Sequence, residues 1–135
     1  MPIGPTNAGT DFWVSFPANW EYQASTKYVR LYITSPVRTR VDVTVGADTI
    51  KTLWTIPYDV VTVDIPQVVA QVFVRSDASP LPDDQVYTDK ALHIESEDMI
   101  VVYGMNRTAA TSDGMMLLPV NALGLEYVVA SARDI

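Results

Sequence analysis

Short stretches of this chain alternate apolar and polar residues with a period of two, and that alternation restricts the fold more than any other feature. Phe12, Val14 and Phe16 share one side of a stretch whose other side carries Asp11, Trp13 and Ser15. The same spacing recurs in Val29, Leu31 and Ile33, in Val41, Val43 and Val45, and in Val61, Val63 and Ile65. Neighbouring side chains of a strand point to opposite faces, so each stretch has one greasy side that must be covered. Turn formers divide the stretches: Pro17, Ser35 with Pro36, Gly46 to Asp48, Pro57 with Tyr58, and Pro66. Turns at intervals of about ten residues are the pattern of a sandwich or barrel. Thr39–Gly46 and Thr49–Ile56 pair as a hairpin, the latter setting Ile50, Thr52, Trp54 and Ile56 against Thr49, Lys51, Leu53 and Thr55. Val68–Val74 reads as a strand rather than a single helical turn, because β-branched residues dominate it.

The longest patterned region runs from Lys90 to Tyr127. It reads as a strand, a tight acidic turn, a second strand, a polar loop between Met105 and Gly114, and a third strand. Leu92, Ile94, Ile100, Val102, Met116 and Leu118 then form one apolar face. No stretch longer than about two turns has helical apolar spacing. The expected fold is all-β, an antiparallel β-sandwich of jelly-roll or Ig-like Greek-key type. Residues 1–9 form a flexible lead-in and 10–135 a single domain.

Charge and composition narrow the partners. Sixteen acidic residues against nine basic ones give a net charge of −7, with no basic cluster to track a phosphate backbone, which argues against nucleic acid. No apolar run has the length of a membrane-spanning helix. Cysteine is absent, which removes disulfides, thiolate nucleophiles and sulfur-built zinc sites. The N-terminal MPIGPTNAGT lacks the basic and apolar regions of a secretory signal, as expected of an intracellular protein or of a mature or trimmed chain.

Few residues suggest chemistry. His93 is the sole histidine and falls on the polar side of its strand beside Glu95. A hydrolase would need Ser96 or Asp98 brought to it; a surface histidine is the plainer reading. Asp77, Asp83 and Asp84 share an irregular loop, but their spacing matches no calcium motif, and a solvated acidic loop takes precedence. No catalytic residue, metal or cofactor is expected. Trp20 and Tyr22 lie in a loop from Ala18 to Lys27, either plugging the core or exposed for ligand stacking. Asn106, Arg107, Thr108, Thr111, Ser112 and Asp113 are different, since hydroxyls, a guanidinium and a carboxylate gather between two apolar strands. They either pin the loop, Arg107 bonding Asp113 or carbonyls, or present a surface to a polar ligand. Asn106-Arg107-Thr108 also spells an N-glycosylation acceptor, a pattern with a high false-positive rate.

Three motifs carry a likeness to a known family: GTDFWVSFP from Gly9, YGMNR followed by TSDG from Tyr103, and LPVNALGLEY from Leu118. Together they resemble the N-terminal domain family of the IgG Fc-binding protein, an extracellular β-rich module of mucin-like animal proteins and large bacterial surface or secreted proteins. The likeness covers nearly the whole chain, with 39–84 matched only in strand pattern. It implies a secreted or cell-surface location, a non-enzymatic binding or adhesion role toward a protein or glycan, and a place within a longer polypeptide. The absence of cysteine implies a bacterial member. The alternative is a self-assembling subunit, of filament or surface-layer type, that pairs through open sheet edges.

Overall fold

A computed structural model describes residues 6–17, 28–72, 89–108 and 112–128. Trp20, Tyr22, Asp77, Asp83, Asp84 and Thr111 lie outside these ranges, as do the expected strand residues 73–74. Seven strands appear in chain order: β1 (Ala8–Val14), β2 (Tyr28–Thr34), β3 (Arg40–Val45), β4 (Asp48–Trp54), β5 (Val60–Pro66), β6 (Leu92–Arg107) and β7 (Ser112–Met116). A four-residue helix α1 (Gln67–Ala70) follows β5, and a 3-10 turn covers Val120–Ala122. All strand pairings are antiparallel except an isolated parallel bridge between Phe16 and Gln71. The fold is thus mostly antiparallel β, as the alternation implies. Its form differs from the expected sandwich, because the strands join into one sheet curled into a half-barrel.

Strand β6 organises that sheet. One of its edges pairs with β3 over Leu92–Ser96 and with β2 over Val101–Arg107, while the other pairs with β1 and then β7. Where a tight acidic turn was expected, the chain runs on through a wide bulge. Between Gly9 and Asp11 the first strand advances two residues while β6 advances five, from Ile100 to Glu95. Backbone groups that the offset leaves unpaired find hydroxyls instead. The Asp98 amide donates to Thr39 Oγ1 at 3.0 Å, Ser35 Oγ donates to the Met99 carbonyl at 2.9 Å, and Ser96 Oγ to the Asp98 carbonyl at 2.7 Å. With those partners supplied, the acidic residues bend the strand without reversing it.

The inner side holds the core: Phe12, Phe16, Val29, Leu31, Ile33, Val41, Val43, Ile65, Leu92, Ile94 and Val102 are fully buried. Every alternating set named from the sequence points inward as expected, except at the ends of two strands. Met116 and Leu118 are exposed, and Leu117 between them is buried. The register sets this phase: Met116 lies opposite the outward Tyr103, and the Leu117 amide bonds the carbonyl of the inward Val102 at 3.0 Å, so the alternation of β7 runs one residue out of step with the expected one. In β4, a bulge opposite Val43 and Thr44 sends Leu53 and Thr55 inward and leaves Trp54 outside. The turn into that strand is the two residues Gly46 and Ala47, with Gly46 at φ 58°.

The helix α1 corrects the expected strand at Val68. Pro66 closes β5, and one helical turn then brings Gln67 and Gln71 onto the same side, four residues apart. Both amides are buried and both reach Asn106. A strand would place residues 67 and 71 about 13 Å apart, too far for both to meet one side chain.

Candidate functional site

The expected polar loop from Met105 to Gly114 is mostly hairpin. Strand β6 continues to Arg107, β7 begins at Ser112, and Asn106 is in register with Asp113. The residues expected to share a surface separate by face. Asn106 points inward and is 4% exposed. Its Nδ2 donates to the Pro17 carbonyl at 3.1 Å and to Gln71 Oε1 at 2.9 Å, while its Oδ1 accepts from Gln67 Nε2 at 2.7 Å. Thr108 is buried as well. With its amide engaged three times inside the fold, Asn106 is a structural hub and offers no accessible nitrogen for a glycan.

Arg107 stands on the outer face, opposite Tyr28 and Ser112. It does not meet Asp113, which alternation and register place on the other side. Its charge instead helps to hold the Asp64 carboxyl below the ordinary value, chiefly the work of Arg30. Arg30 grips Asp64 through two bonds, Nε to Oδ1 at 2.6 Å and a terminal nitrogen to Oδ2 at 2.8 Å, and lies 4.8 Å from the centre of the Tyr28 ring. The hydrogen bond to Asp64 raises the guanidinium above its usual range.

Beyond this charged cluster the outer face turns apolar. Tyr32, Tyr103, Met105, Met115 and Met116 line a shallow groove of about 240 Å³. It continues along the chain into Leu118, Val120, Leu123, Leu125, Tyr127 and Val128, all exposed, Leu125 and Val128 completely. Among the described residues β7 pairs only with β6, so its second edge is open. Of the other outer edges, β4 has Lys51 and a bulge, and β5 has Asp64 and ends at Pro66; β7 has Asp113 near its start and no charge from Gly114 to Met116. Alternation alone marks Tyr103 and Met105 as outward, but only the register shows that they meet Tyr32 and Met116.

No family model, no curated protein and no solved structure matches this chain.

A second outer site gathers around His93. Its Nε2 lies 2.6 Å from Oδ1 of Asp11, its Nδ1 lies 3.6 Å from Oε2 of Glu95, and its ring stacks on Trp13 with centroids 3.9 Å apart and planes 11° apart. The expected neighbour Glu95 is there; Asp11 and Trp13 come from 82 and 80 residues away through the pairing of β1 with β6, which no local pattern signals. Ser96 Oγ donates to the Asp98 carbonyl, and the polar groups flanking the imidazole are the two carboxylates. Among the described residues no group of three or more acids and histidines has the arrangement of a metal site. No described helix is long and apolar enough to cross a membrane.

Proposed function

We propose that this chain is a non-enzymatic binding module that accepts an extended strand of a partner protein along β7. The observation that carries it is the open β7 edge flanked by exposed Tyr103, Met116 and Leu118. An open edge supplies main-chain hydrogen bonds to an incoming strand, and apolar side chains beside it supply the pockets that select one. Soluble monomers seldom expose apolar patches of this extent without a use for them. The likeness to the IgG Fc-binding N-terminal domains supports an extracellular or cell-surface setting, an adhesive role and a bacterial source. The test is a photo-crosslinking residue placed at Met116, or at Thr62 on the β5 edge as control, in the cells that make the protein. One defined protein captured from position 116 and absent from position 62 is the expected result. Equal capture at both positions, or none, overturns the proposal. Hydrolysis of an ester, glycoside or peptide panel that disappears in His93→Ala would overturn its non-enzymatic half.

The complete exposure of Leu125 and Val128 favours a second reading, in which the incoming strand belongs to another copy of this chain. Sedimentation equilibrium separates the two. Self-assembly predicts a concentration-dependent dimer or larger species that Met116→Lys abolishes.

A further inference from the structure

We propose that Trp13 and Asp11 form a receiving site for an arginine or lysine side chain of a partner protein, with His93 as the residue that holds the indole in place. The site lies on β1 and the first half of β6, apart from the apolar groove, so it stands or falls separately from strand addition at β7.

The starting point is how firmly the indole is fixed. Trp13 is 53% exposed on β1, which among the described residues pairs with no strand other than β6. His93 covers the side of the indole toward β6, leaving the opposite side uncovered by any described strand. The imidazole cannot easily turn away, because a carboxylate faces each of its nitrogens. A flat ring is therefore presented at an open edge with its orientation already set, and a ligand does not have to order it.

The same chain shows what such rings hold. Arg38 lies 4.3 Å from the centre of Trp54, and Arg30 lies 4.8 Å from Tyr28 while gripping Asp64. The second case is a ring, a cation and a carboxylate on one outer face. Trp13 and Asp11, two residues apart on the outer side of β1, supply the ring and the carboxylate. Among the described residues no cation completes them. Asp11, Glu95 and Asp42 lie side by side across three strands, and Arg40, two residues from Asp42 on β3, is engaged with it at 3.3 Å. A net charge of −7 leaves the chain short of bases to fill the place itself.

Complementarity also decides the chemical class. The charged groups beside the stacked rings are carboxylates, which only accept hydrogen bonds. A guanidinium or ammonium only donates, and gains further from the ring face. A sugar presents donors and acceptors together, and its acceptors would meet carboxylate oxygens.

The test is titration of the full chain with N-acetyl-arginine amide, followed by the indole N–H signal of Trp13, assigned by its loss in Trp13→Phe. Neutral N-acetyl-citrulline amide and a methyl glucoside serve as controls, and the Trp54 signal reports on the fold. The expected result is a saturable shift of the Trp13 signal by the arginine compound alone, weakened about twofold to fivefold in Asp11→Asn. A Trp13 signal that does not move, moves equally with citrulline or glucoside, or is unaffected by Asp11→Asn while Trp54 stays in place overturns the proposal.

Discussion

Replacing Asn106 by alanine tests whether this residue is a hub of the fold or part of a binding surface. Its amide has three partners: Pro17 just beyond β1, Gln67 in the helix, and Gln71 at the helix end. Gln67 and Gln71 are each 2% exposed, so water does not replace a lost partner easily. A buried polar group stripped of its partner costs about 1–3 kcal/mol. Counting only the buried Gln67 amide, since Pro17 is exposed and its carbonyl can turn to water, Asn106→Ala loses about 1–3 kcal/mol, a large share of the 5–15 kcal/mol typical of a domain. Urea unfolding should show a midpoint lowered by about 0.5–2 M with an unchanged slope. Asn106→Asp sharpens the test, because a carboxylate still accepts from Gln67 but turns its charge toward the two oxygens that Asn106 now serves as donor. It should be at least as damaging as alanine at neutral pH and recover in part when protonated. A loss below about 1 kcal/mol for Asn106→Ala, no larger than a typical surface change, would refute the account and return Asn106 to the candidate binding residues.

Three further outcomes follow from local geometry. A methyl group on Gly104 would sit 2.6 Å from Cζ of Phe16 and 3.2 Å from Cδ1 of Leu117, so Gly104→Ala should cost about 1–3 kcal/mol, read as a drop in Tm of roughly 4–10 °C. Tyr58 occupies the third position of a turn closed by the Asp59 amide on the Ile56 carbonyl, with Pro57 before it and φ at 60°. Glycine favours that conformation; relief of about 1–2 kcal/mol against a chain-entropy penalty of about 0.5–1 kcal/mol makes Tyr58→Gly stabilising by up to about 1.5 kcal/mol in urea unfolding. Asp64 has a carboxyl depressed below 3.8 in the folded state, so its contribution is complete above the unfolded value and fades as pH falls through the folded one. Asp64→Asn should therefore be the less stable protein at neutral pH and equal to the parent under strong acid, a small gap given the exposure of the pair.

The sequence makes the inner face legible because burial and strand geometry enforce the same period. Phe12, Leu31, Val43 and Ile94 each fall inward with no knowledge of their neighbours. What it hides depends on contacts between distant segments. The helical turn at Gln67 runs against its β-branched composition, since a buried amide on β6 rewards two glutamines four residues apart. The bulge at Ser96–Met99 looks like a turn until Ser35 and Thr39 arrive to satisfy it. Asn106 sits among hydroxyls that suggest an exposed loop, while its partners come from residues 17, 67 and 71. Leu117, and not Met116 or Leu118, reaches the core because the pairing of β7 with β6 puts Met116 opposite the outward Tyr103, a phase that only the register fixes.

Both outer sites trace to the length of β6. A strand of 16 residues exceeds the usual span, and a sheet twists steadily along its strands. The bulge after Glu95 lets β6 change partners from β3 to β2 on one edge while it remains paired on the other. Each half thus acquires its own outer face: His93 and Glu95 beside Trp13, and Tyr103 and Met105 beside Met116. The inner face cannot differentiate in this way, because Leu92, Ile94, Ile100 and Val102 serve one continuous core. The hydroxyls of Ser35 and Thr39, both almost completely buried, secure the bulge that separates the two faces. Their place in the fold is structural, and the distinction between an acidic aromatic face and an apolar strand edge depends on them.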